Sequence, residues 1–360
     1  MTPPMGSPYG GLALITGGAG FVATNVADRL LRSGVRVRLF DNLSRAGVER
    51  NVRWLKAQHG ERVELQFGDV RDGAALATAL RGADRVFHFA AQVAVTTSLV
   101  DPFVDFDINA RGTLNLLEAM RASGSGASLL FTSTNKVYGD LDDVSLRTHE
   151  RRYTPASDQL AAFGIGETRA LDFHSPYGCS KGAAEQYVLD YARTFGLKAT
   201  VFRMSCIYGP HQFGTEDQGW VAHFAFQALN DRRLTLYGDG LQVRDLLFVD
   251  DLTDAMLLAH QHIDRAAGRA YNVGGGPGNT ASLLELLDLL GEVTGRRPTY
   301  TLEPWRPADQ RYYVSDIRRF SELTGWTPRV GVADGVARLA TWLAEDARRV
   351  PEVLAAGVVS

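Results

Sequence analysis

Cysteine is scarce in this sequence, with only Cys179 and Cys206 among 360 residues. Two thiols cannot build a disulfide framework and lack the spacing of a metal site, so we expect no metal and a reducing, cytoplasmic setting. No apolar run reaches the roughly 18 residues of a membrane-spanning helix. Residues 1–10 hold three prolines and two glycines and are expected to form a flexible tail rather than a signal peptide.

An excess of positive charge is also missing, because the formal net charge is −3. Neither nucleic acid nor a membrane is therefore expected as a partner. Hydrophobic residues make up 45% and charged residues 22% of the chain, as in an ordinary globular protein. Glycine is abundant, with 37 residues against an average of about 7%. Several of these glycines fall where predicted strands end.

Strand-like and helix-like segments alternate through the first 203 residues. Short apolar runs that end in glycine or aspartate predict buried strands, and the longer amphipathic stretches between them predict helices. This alternation predicts an α/β fold with a doubly wound parallel Rossmann sheet. The predicted strands cover residues 12–16, 35–40, 63–67, 85–90, 128–132 and 199–203.

The pattern changes after residue 203, where shorter strands and loops predict a smaller mixed α/β substrate-binding lobe. We assign 11–203 to the Rossmann domain, with 141–172 as a substrate-side insertion. Residues 243–260 are expected to return to this domain. The smaller lobe is then formed by 204–242 and 261–360.

A glycine-rich loop joins the first strand to the first helix. Gly17 allows a tight turn, Gly20 lets backbone approach a pyrophosphate, and Ala23 allows close packing of helix on strand. Asp41 ends the second strand, where a carboxylate accepts from the ribose hydroxyls and repels a 2′-phosphate, so NAD is favoured over NADP. Arg45 nearby could hold a 2′-phosphate, and Asp41 could be an ordinary turn residue.

The ends of the other strands complete the predicted cofactor site. Asp69 and Val70 are expected near the adenine, and Ala90, Ala91 and Gln92 near the phosphates and ribose. Asn109 is included, although an asparagine at this place more often braces a site than contacts a ligand. The predicted cofactor residues are Gly17, Gly20, Phe21, Val22, Asp41, Asn42, Ser44, Asp69, Val70, Ala90, Ala91, Gln92, Asn109, Thr132, Tyr177 and Lys181.

Tyr177 and Lys181 lie four residues apart at the start of a predicted helix, which places both side chains on one face. A lysine ammonium beside the phenol is expected to lower the tyrosine pKa from about 10. The phenolate can then take a proton from a substrate hydroxyl while a hydride leaves the same carbon. Thr134, just past a strand end, is the predicted third catalytic residue, with Ser133 as the alternative.

With these motifs in place, the chain resembles the extended short-chain dehydrogenases/reductases, within their nucleotide-sugar epimerase/dehydratase group, from residue 12 to about residue 343. The resemblance implies NAD in the Rossmann domain, a nucleoside diphosphate sugar in the smaller lobe, and homodimers or higher homo-oligomers formed through a four-helix interface. The sequence departs from the usual pattern at Ala23 and Thr134. The matching stretches are Thr16-Gly-Gly-Ala-Gly-Phe21, Asp41-Asn-Leu-Ser44, His88-Phe-Ala-Ala91, Val137-Tyr-Gly139, Tyr208-Gly-Pro210, Val243-Arg-Asp245 and Asn272-Val-Gly-Gly275.

The residues after Thr134 bear on the reaction. Sugar 4,6-dehydratases of this group carry an Asp-Glu pair there, whereas this chain has Asn135 and Lys136, so epimerisation is favoured. Stretches such as 133–140, 171–182 and 217–221 resemble a subgroup that epimerises CDP-sugars at C2 through a 2-keto intermediate. A C4 epimerase or other modifier of a UDP- or dTDP-sugar remains an alternative, as does an NAD-sensing regulatory protein.

Candidate substrate residues follow from the resemblance and from their chemistry. Arginine guanidinium groups suit a diphosphate, although Arg244 and Arg311 could instead form surface ion pairs with Asp245 or Asp309. Trp220 could stack on the base or belong to the core, and a plain loop role for His174 is equally open. The predicted substrate residues are Gln92, Asn135, Lys136, His174, Gln218, Trp220, Arg244 and Arg311.

Overall fold

The computed structural model describes residues 11–356; the predicted tail at 1–10 lies outside this range. The strands are β1 Leu12–Thr16, β2 Arg36–Asp41, β3 Val63–Phe67, β4 Arg85–His88, β5 Ser128–Thr134, β6 Leu146–His149, β7 Arg152–Pro155, β8 Ala199–Met204, β9 Cys206–Tyr208, β10 Leu234–Tyr237, β11 Val243–Phe248, β12 Ala270–Val273, β13 Thr280–Ser282, β14 Tyr300–Glu303 and β15 Tyr312–Tyr313. The α-helices are α1 Phe21–Arg32, α2 Glu49–His59, α3 Gly73–Ala79, α4 Val95–Val100, α5 Pro102–Phe106, α6 Gly112–Ser123, α7 Asp158–Phe163, α8 Ser175–Phe195, α9 Trp220–Leu229, α10 Val249–Gln261, α11 Ile263–Ala266, α12 Leu283–Thr294, α13 Arg318–Thr324 and α14 Val332–Ala356.

A seven-stranded sheet forms the centre of the molecule, in the order β12-β8-β5-β4-β1-β2-β3. Every neighbouring pair in it is parallel. The strand order reverses between β1 and β4, and a parallel sheet binds ligands beside the carboxyl ends of its strands at such a point. The predicted doubly wound parallel sheet is therefore confirmed.

Apolar side chains cover both faces of this sheet. The strands β1 and β5 are buried along their whole length, as expected for strands that helices cover on both sides. One face packs against α1 and α10, which contribute Leu30 and Met256 to the core. The other packs against α6 and α8, which contribute Leu116 and Val188.

The smaller lobe is arranged around β11. This strand pairs antiparallel with β13 and parallel with β9 and β15, while β10 and β14 form a separate parallel pair. Helices α9, α12 and α14 pack here through residues that include Phe224, Leu287 and Leu339.

Two segments differ from the domain division that the sequence suggests. Residues 243–248 form β11 in the smaller lobe, and only the following helix α10 returns to the central sheet. Conversely, residues 270–273 form β12, which pairs with β8 at the edge of the central sheet. Apolar runs of four to six residues identify a strand but do not say which sheet it joins.

The helical segment that leads to β5 is not one regular helix. The chain forms α5, then a π-helical turn over 107–111, then α6. Such single π turns occur frequently at functional sites. This one carries Asn109.

Candidate active site

The glycine-rich loop lies between β1 and α1. Gly17 has a φ of +64°, and a Cβ there would lie 2.7 Å from the backbone nitrogen of Ala90. Asp41 accepts hydrogen bonds from the backbone nitrogens of Ala19 at 3.0 Å and Leu43 at 2.7 Å, so it orders this loop. The helix N-terminus and the close backbone approach fit the pyrophosphate of a dinucleotide.

A cleft of about 260 Å³ opens beside this loop. Asp69 on its wall accepts from the Asn42 side chain at 2.9 Å and from Arg71 at 2.7 Å. The cleft brings together the predicted residues Gly17, Gly20, Phe21, Val22, Asp41, Asn42, Ser44, Asp69, Val70, Ala90, Ala91, Thr132, Tyr177 and Lys181. Lining residues that sequence reasoning did not assign to the cofactor include Val48, Ile108 and Met204.

Gln92 and Asn109 are not on the walls of this cleft, contrary to expectation. Asn109 is buried and uses its amide to bind the backbone of Gln92, accepting from its nitrogen at 2.9 Å and donating to its oxygen at 3.0 Å. Both side chains also donate to Asp105, at 2.8 Å and 3.1 Å. They therefore brace the chain behind the cleft.

The three predicted catalytic residues converge from two elements. Thr134 ends β5, while Tyr177 and Lys181 lie on the first two turns of α8. All three side chains are buried. The Thr134 hydroxyl donates to the side-chain oxygen of Asn135 at 3.3 Å, and the ammonium of Lys181 lies 4.2 Å from the centre of the Phe131 ring.

The electrostatics of this group differ from the expectation for the tyrosine. Burial raises the pKa of Tyr177 to about 12, and the hydrogen bond to Thr134 opposes this only in part. Burial likewise lowers the pKa of Lys181 to about 7, against the raising effects of Glu185 and Asp105. The predicted lowering of the Tyr177 pKa is therefore not found, because removal of the phenol from water dominates.

A second cavity of about 290 Å³ lies between the two lobes, next to the cleft. Tyr177 lines both cavities, as do Val93 and Gln218. Tyr177 thus stands in the wall that the two spaces share. The predicted substrate residues on the second cavity are Asn135, Lys136, Gln218, Trp220 and Arg244.

The remaining predicted substrate residues lie elsewhere than on this cavity. His174 lies within 2.9 Å of Asp140 and 3.1 Å of Asp172, and these carboxylates raise its pKa. The guanidinium of Arg311 packs over the Trp305 ring, 5.5 Å from its centre. Gln92 belongs to the brace described above.

Buried charges cluster on one wall of the second cavity. Arg244 donates to Asp309 at 2.8 Å, and Lys136 donates to the backbone oxygen of Ala308 at 3.0 Å. Burial raises the pKa of Asp309, but Arg244 and Lys136 outweigh this and lower it overall. This wall therefore places the Arg244 guanidinium and the Lys136 ammonium beside the cavity, where both can bind an anionic group.

Sequence reasoning missed one cation of this cavity, Arg306. Its guanidinium lies 3.8 Å from the centre of the Tyr237 ring and within 3.6 Å and 3.4 Å of Glu216 and Asp217. Arg306 and Trp305 lie between Pro304 and Pro307, and this flanking pair of prolines, typical of a loop, was the available signal.

The segment 141–172 does not line either cavity, which corrects its assignment as a substrate-side insertion. Its hairpin β6–β7 and helix α7 pack on the smaller lobe instead. The backbone of Ile165 bonds to Val314 at 2.7 Å and to Asp316 at 2.9 Å. The segment attaches to the smaller lobe through these backbone bonds.

Comparison with known proteins places this fold and site. Residues 13–274 match the NAD dependent epimerase/dehydratase family. The chain is 44% identical over 337 residues to the CDP-paratose 2-epimerase of Salmonella typhi. This alignment covers 91% of this chain and 98% of that protein. The structure also superposes on the crystal structure of the UDP-glucose 4-epimerase of Thermotoga maritima with UDP-glucose, with a TM-score of 0.79 and 30% sequence identity. The superposition covers 93% of this chain and 99% of that one.

A further crystal structure contains the cofactor. The UDP-glucose 4-epimerase of Thermus thermophilus in complex with NAD is 32% identical, with a TM-score of 0.77 over 92% of this chain and 99% of that one. The fold and the site thus define a nucleotide-sugar-modifying enzyme of the extended short-chain dehydrogenase/reductase type. The chain belongs to the NAD-dependent epimerase/dehydratase family, and NAD is its cofactor. Within residues 11–356, no helix has the length and apolar character needed to cross a bilayer.

Proposed function

We propose that this protein is an NAD-dependent epimerase that inverts C2 of a CDP-sugar. The observation that carries the proposal is the position of Tyr177 in the wall shared by the two cavities. A cofactor in the cleft and a sugar in the second cavity then meet at one proton-transferring side chain. The 44% identity to a CDP-paratose 2-epimerase supports the choice of carbon and base.

The residues beside Thr134 support epimerisation over dehydration. Elimination of water needs an acid and a base next to the sugar, but the cavity presents Asn135 and Lys136 at this point. Asn135 donates to Gln310 at 3.1 Å, and Lys136 is held by Ala308. Neither side chain is a carboxylate, so oxidation and reduction at one carbon is the simpler reaction for this set.

In this reaction NAD, when bound, accepts a hydride from the sugar carbon and later returns it. Tyr177 takes the proton of the sugar hydroxyl and gives it back after the 2-keto sugar has presented its opposite face. Thr134 shares its hydrogen bond with the reacting hydroxyl. Lys181, as the ammonium, would hold the nicotinamide ribose. The buried walls exclude water from these steps.

The diphosphate belongs beside Arg244 and Arg306 in this proposal. Both side chains line the second cavity, and guanidinium groups bind phosphate oxygens in pairs. Trp220 lines the same cavity, donates to the Cys206 sulfur at 3.3 Å and offers a ring face to the base. The Arg311 side chain, which is engaged with Trp305, has no part in it.

A second candidate function is C4 epimerisation of a UDP- or dTDP-sugar. The structural likeness to a UDP-glucose 4-epimerase with UDP-glucose favours this alternative. The two candidates share the roles of Thr134, Tyr177 and Lys181, and they differ in how the sugar ring is oriented toward Tyr177.

The test is a panel of CDP-, UDP-, GDP- and dTDP-sugars, with product analysis by NMR at C2 and C4. Inversion at C2 of a CDP-sugar is the expected result, and inversion at C4 alone would select the alternative. Tightly bound NAD without turnover of any sugar would point to the NAD-sensing protein. Reaction in deuterium oxide adds a check, because deuterium incorporated at C2 would exclude hydride return.

The assembly and its location belong to the same proposal. We propose a homodimer through α4, α5 and α8, because Val100 and Phe103 are 86% and 84% exposed on this face. A mass of one chain, 39.3 kDa, in sedimentation equilibrium would reject the dimer. The free thiols of Cys179 and Cys206 support a cytoplasmic location.

A further inference from the structure

Asp105 is a buried carboxylate that the reaction described above does not use. Its side chain lies on α5 with no exposed surface. It accepts hydrogen bonds from Gln92, Asn109 and Ser180. All three partners donate in this arrangement and so favour the ionised carboxylate, while burial raises its pKa.

These bonds join the catalytic helix to the wall of both cavities. Ser180 lies on α8 between Tyr177 and Lys181, so its bond to Asp105 fixes the face that carries the two catalytic side chains. Gln92 lies in the segment between β4 and α4, and the next residue, Val93, lines both cavities. One carboxylate therefore connects the proton-transferring group with the surface that cofactor and substrate contact.

A second hydrogen bond also links the catalytic helix α8 to this cavity wall. The backbone nitrogen of Tyr177 donates to the hydroxyl of Ser98 on α4 at 3.2 Å, and α4 directly follows the segment that contains Gln92. The distance between Tyr177 and this wall is thus set from two sides. The π turn that carries Asn109 brings a third hydrogen-bonding partner, because its amide reaches both Asp105 and Ser180 at 3.1 Å and 3.0 Å.

We propose that Asp105 is a positioning residue for Tyr177 and Lys181: its carboxylate fixes the start of the catalytic helix against the cavity wall and places a negative charge beside both side chains. The proposal rests on the proposed function, because it assigns the charge a role in that proton transfer. It also explains why Gln92 and Asn109, which sequence reasoning places at the cofactor, lie behind the cleft. Their shared partner is Asp105.

The charge of Asp105 acts on the two side chains in a defined direction. It favours the ammonium of Lys181 and opposes the phenolate of Tyr177. The other charged or titratable groups around them are Glu185 on α8, which is paired with Arg203 on β8, and His88 on β4. Burial lowers the pKa of His88 to about 3, so it remains neutral and leaves two carboxylates to balance Lys181.

The test replaces the charge with a neutral side chain of the same shape, Asp105→Asn. Loss of the negative charge lowers the pKa of both Lys181 and Tyr177, so both limbs of the pH profile of kcat move to lower pH. Misplacement of Tyr177 by a fraction of an ångström adds a loss of kcat of roughly 10–100-fold. A purely structural role would reduce kcat equally at every pH and leave the limbs in place, which would overturn the proposal.

A second readout does not depend on turnover and separates this proposal from the proposed function. The chain has four lysines, at positions 56, 136, 181 and 198, so Lys181 labelled with ¹³C at Cε can be assigned by comparison with Lys181→Arg. Its titration midpoint is expected to fall in Asp105→Asn. An unchanged midpoint overturns the role of Asp105, whereas a lowered midpoint with no turnover on any sugar overturns only the proposed function.

Two further variants complete the design. Gln92→Leu removes one hydrogen-bond donor to Asp105 and so makes ionisation of this carboxyl group less favourable. The titration midpoint of Lys181 should then fall, but by less than in Asp105→Asn. This variant keeps the test decisive if Asp105→Asn does not fold. Asp251→Asn is the matched control, because Asp251 is also buried but accepts from the backbone nitrogens of Arg329 and Val330. Its pH profile should keep the wild-type limbs, and an equal displacement would count against Asp105.

Discussion

Tyr177 is the residue on which the proposed reaction depends most directly, because it borders cofactor and sugar at once. Replacing its hydroxyl with hydrogen, Tyr177→Phe, removes the acid–base group while leaving the ring in its buried place. We expect turnover to fall by about 10²–10⁴-fold, the usual contribution of a positioned acid or base, with bound NAD retained. Rates from NMR and cofactor content from absorbance measure both effects.

The matched control for this variant is Tyr187→Phe on the same helix. The Tyr187 ring is 45% exposed and lies outside both cavities, so its loss should leave turnover unchanged. Substantial activity in Tyr177→Phe would contradict the assigned role, and a similar loss in Tyr187→Phe would show that the helix itself had been disturbed.

His88 gives a residue-scale prediction on stability. It is buried between the hydroxyls of Thr16 at 2.6 Å and Thr113 at 3.0 Å, and burial lowers its pKa to about 3 from 6.5. Between pH 6.5 and 3 the unfolded chain therefore binds a proton that the folded chain does not. Through His88 alone, the free energy of unfolding should therefore decrease by about 1.4 kcal/mol for each unit by which the pH is lowered in this window.

The measurement is urea unfolding at several pH values in wild type and His88→Gln. The variant is less stable at neutral pH but should lose less stability on acidification. His149→Gln, at an exposed position, serves as the control and should keep the wild-type slope. A slope in His88→Gln identical to the wild type would contradict the prediction.

At the scale of single elements, the loop between β1 and α1 makes a sharp prediction about the cofactor. In Gly17→Ala the added Cβ would lie 2.7 Å from the backbone nitrogen of Ala90, and the alanine would have to adopt a φ of +64°. The loop must therefore move away from the cleft. We expect the variant to lose its bound NAD. Gly34→Ala is matched in strain, with a φ of +90° and open space around the Cβ, and should cost about 1 kcal/mol of stability while keeping the cofactor.

NAD content after purification and the midpoint of thermal unfolding with and without added NAD are the measurements. Equal cofactor content in both glycine variants would mean that the close approach to Ala90 does not matter for binding.

How far the sequence predicts an element depends on what determines it. The strands β1, β5 and β8 are short buried runs ending at polar or glycine residues, and the pattern locates them to within two residues. The π turn at 107–111 is not predicted, because an apolar stripe does not distinguish one wider turn from a regular helix. The two-residue strand β15 carries no periodic signal at all, and it exists only because β11 lies beside it.

The site residues likewise divide into those that sequence spacing predicts and those that it does not. Gly17, Asp41, Tyr177 and Lys181 are predicted by spacing along one strand, loop or helix. Arg306 is missed because its place on the cavity depends on how a loop crosses the smaller lobe.

At the scale of the whole molecule, the two lobes are joined by buried contacts. Asn51 on α2 donates to the backbone oxygens of Ala19 at 3.0 Å and His211 at 3.4 Å. The His211 ring lies 4.2 Å from Trp54 and 5.2 Å from Trp342 on α14. The lobes therefore share one set of interactions around the cofactor loop.

We accordingly expect one cooperative unfolding transition for both lobes. Far-UV circular dichroism and tryptophan fluorescence should give the same urea midpoint, since agreement between probes is the test of two-state behaviour. Saturating NAD at about 100 times its Kd should raise the free energy of unfolding by about 2.7 kcal/mol in both signals. Two separated midpoints, with only one responding to NAD, would contradict this expectation.

The repeated passage of the chain between lobes has a consequence for how such an enzyme diversifies. The smaller lobe is not one continuous segment: β9, β11 and β15 come from separate stretches, while α10 and β12 between them belong to the central sheet. No single genetic exchange can replace the sugar-binding half and leave the cofactor half intact. Specificity is therefore expected to change through individual loops at strand ends, such as the one that carries Arg306, and gene fusions that treat the lobes as exchangeable modules should fail to fold.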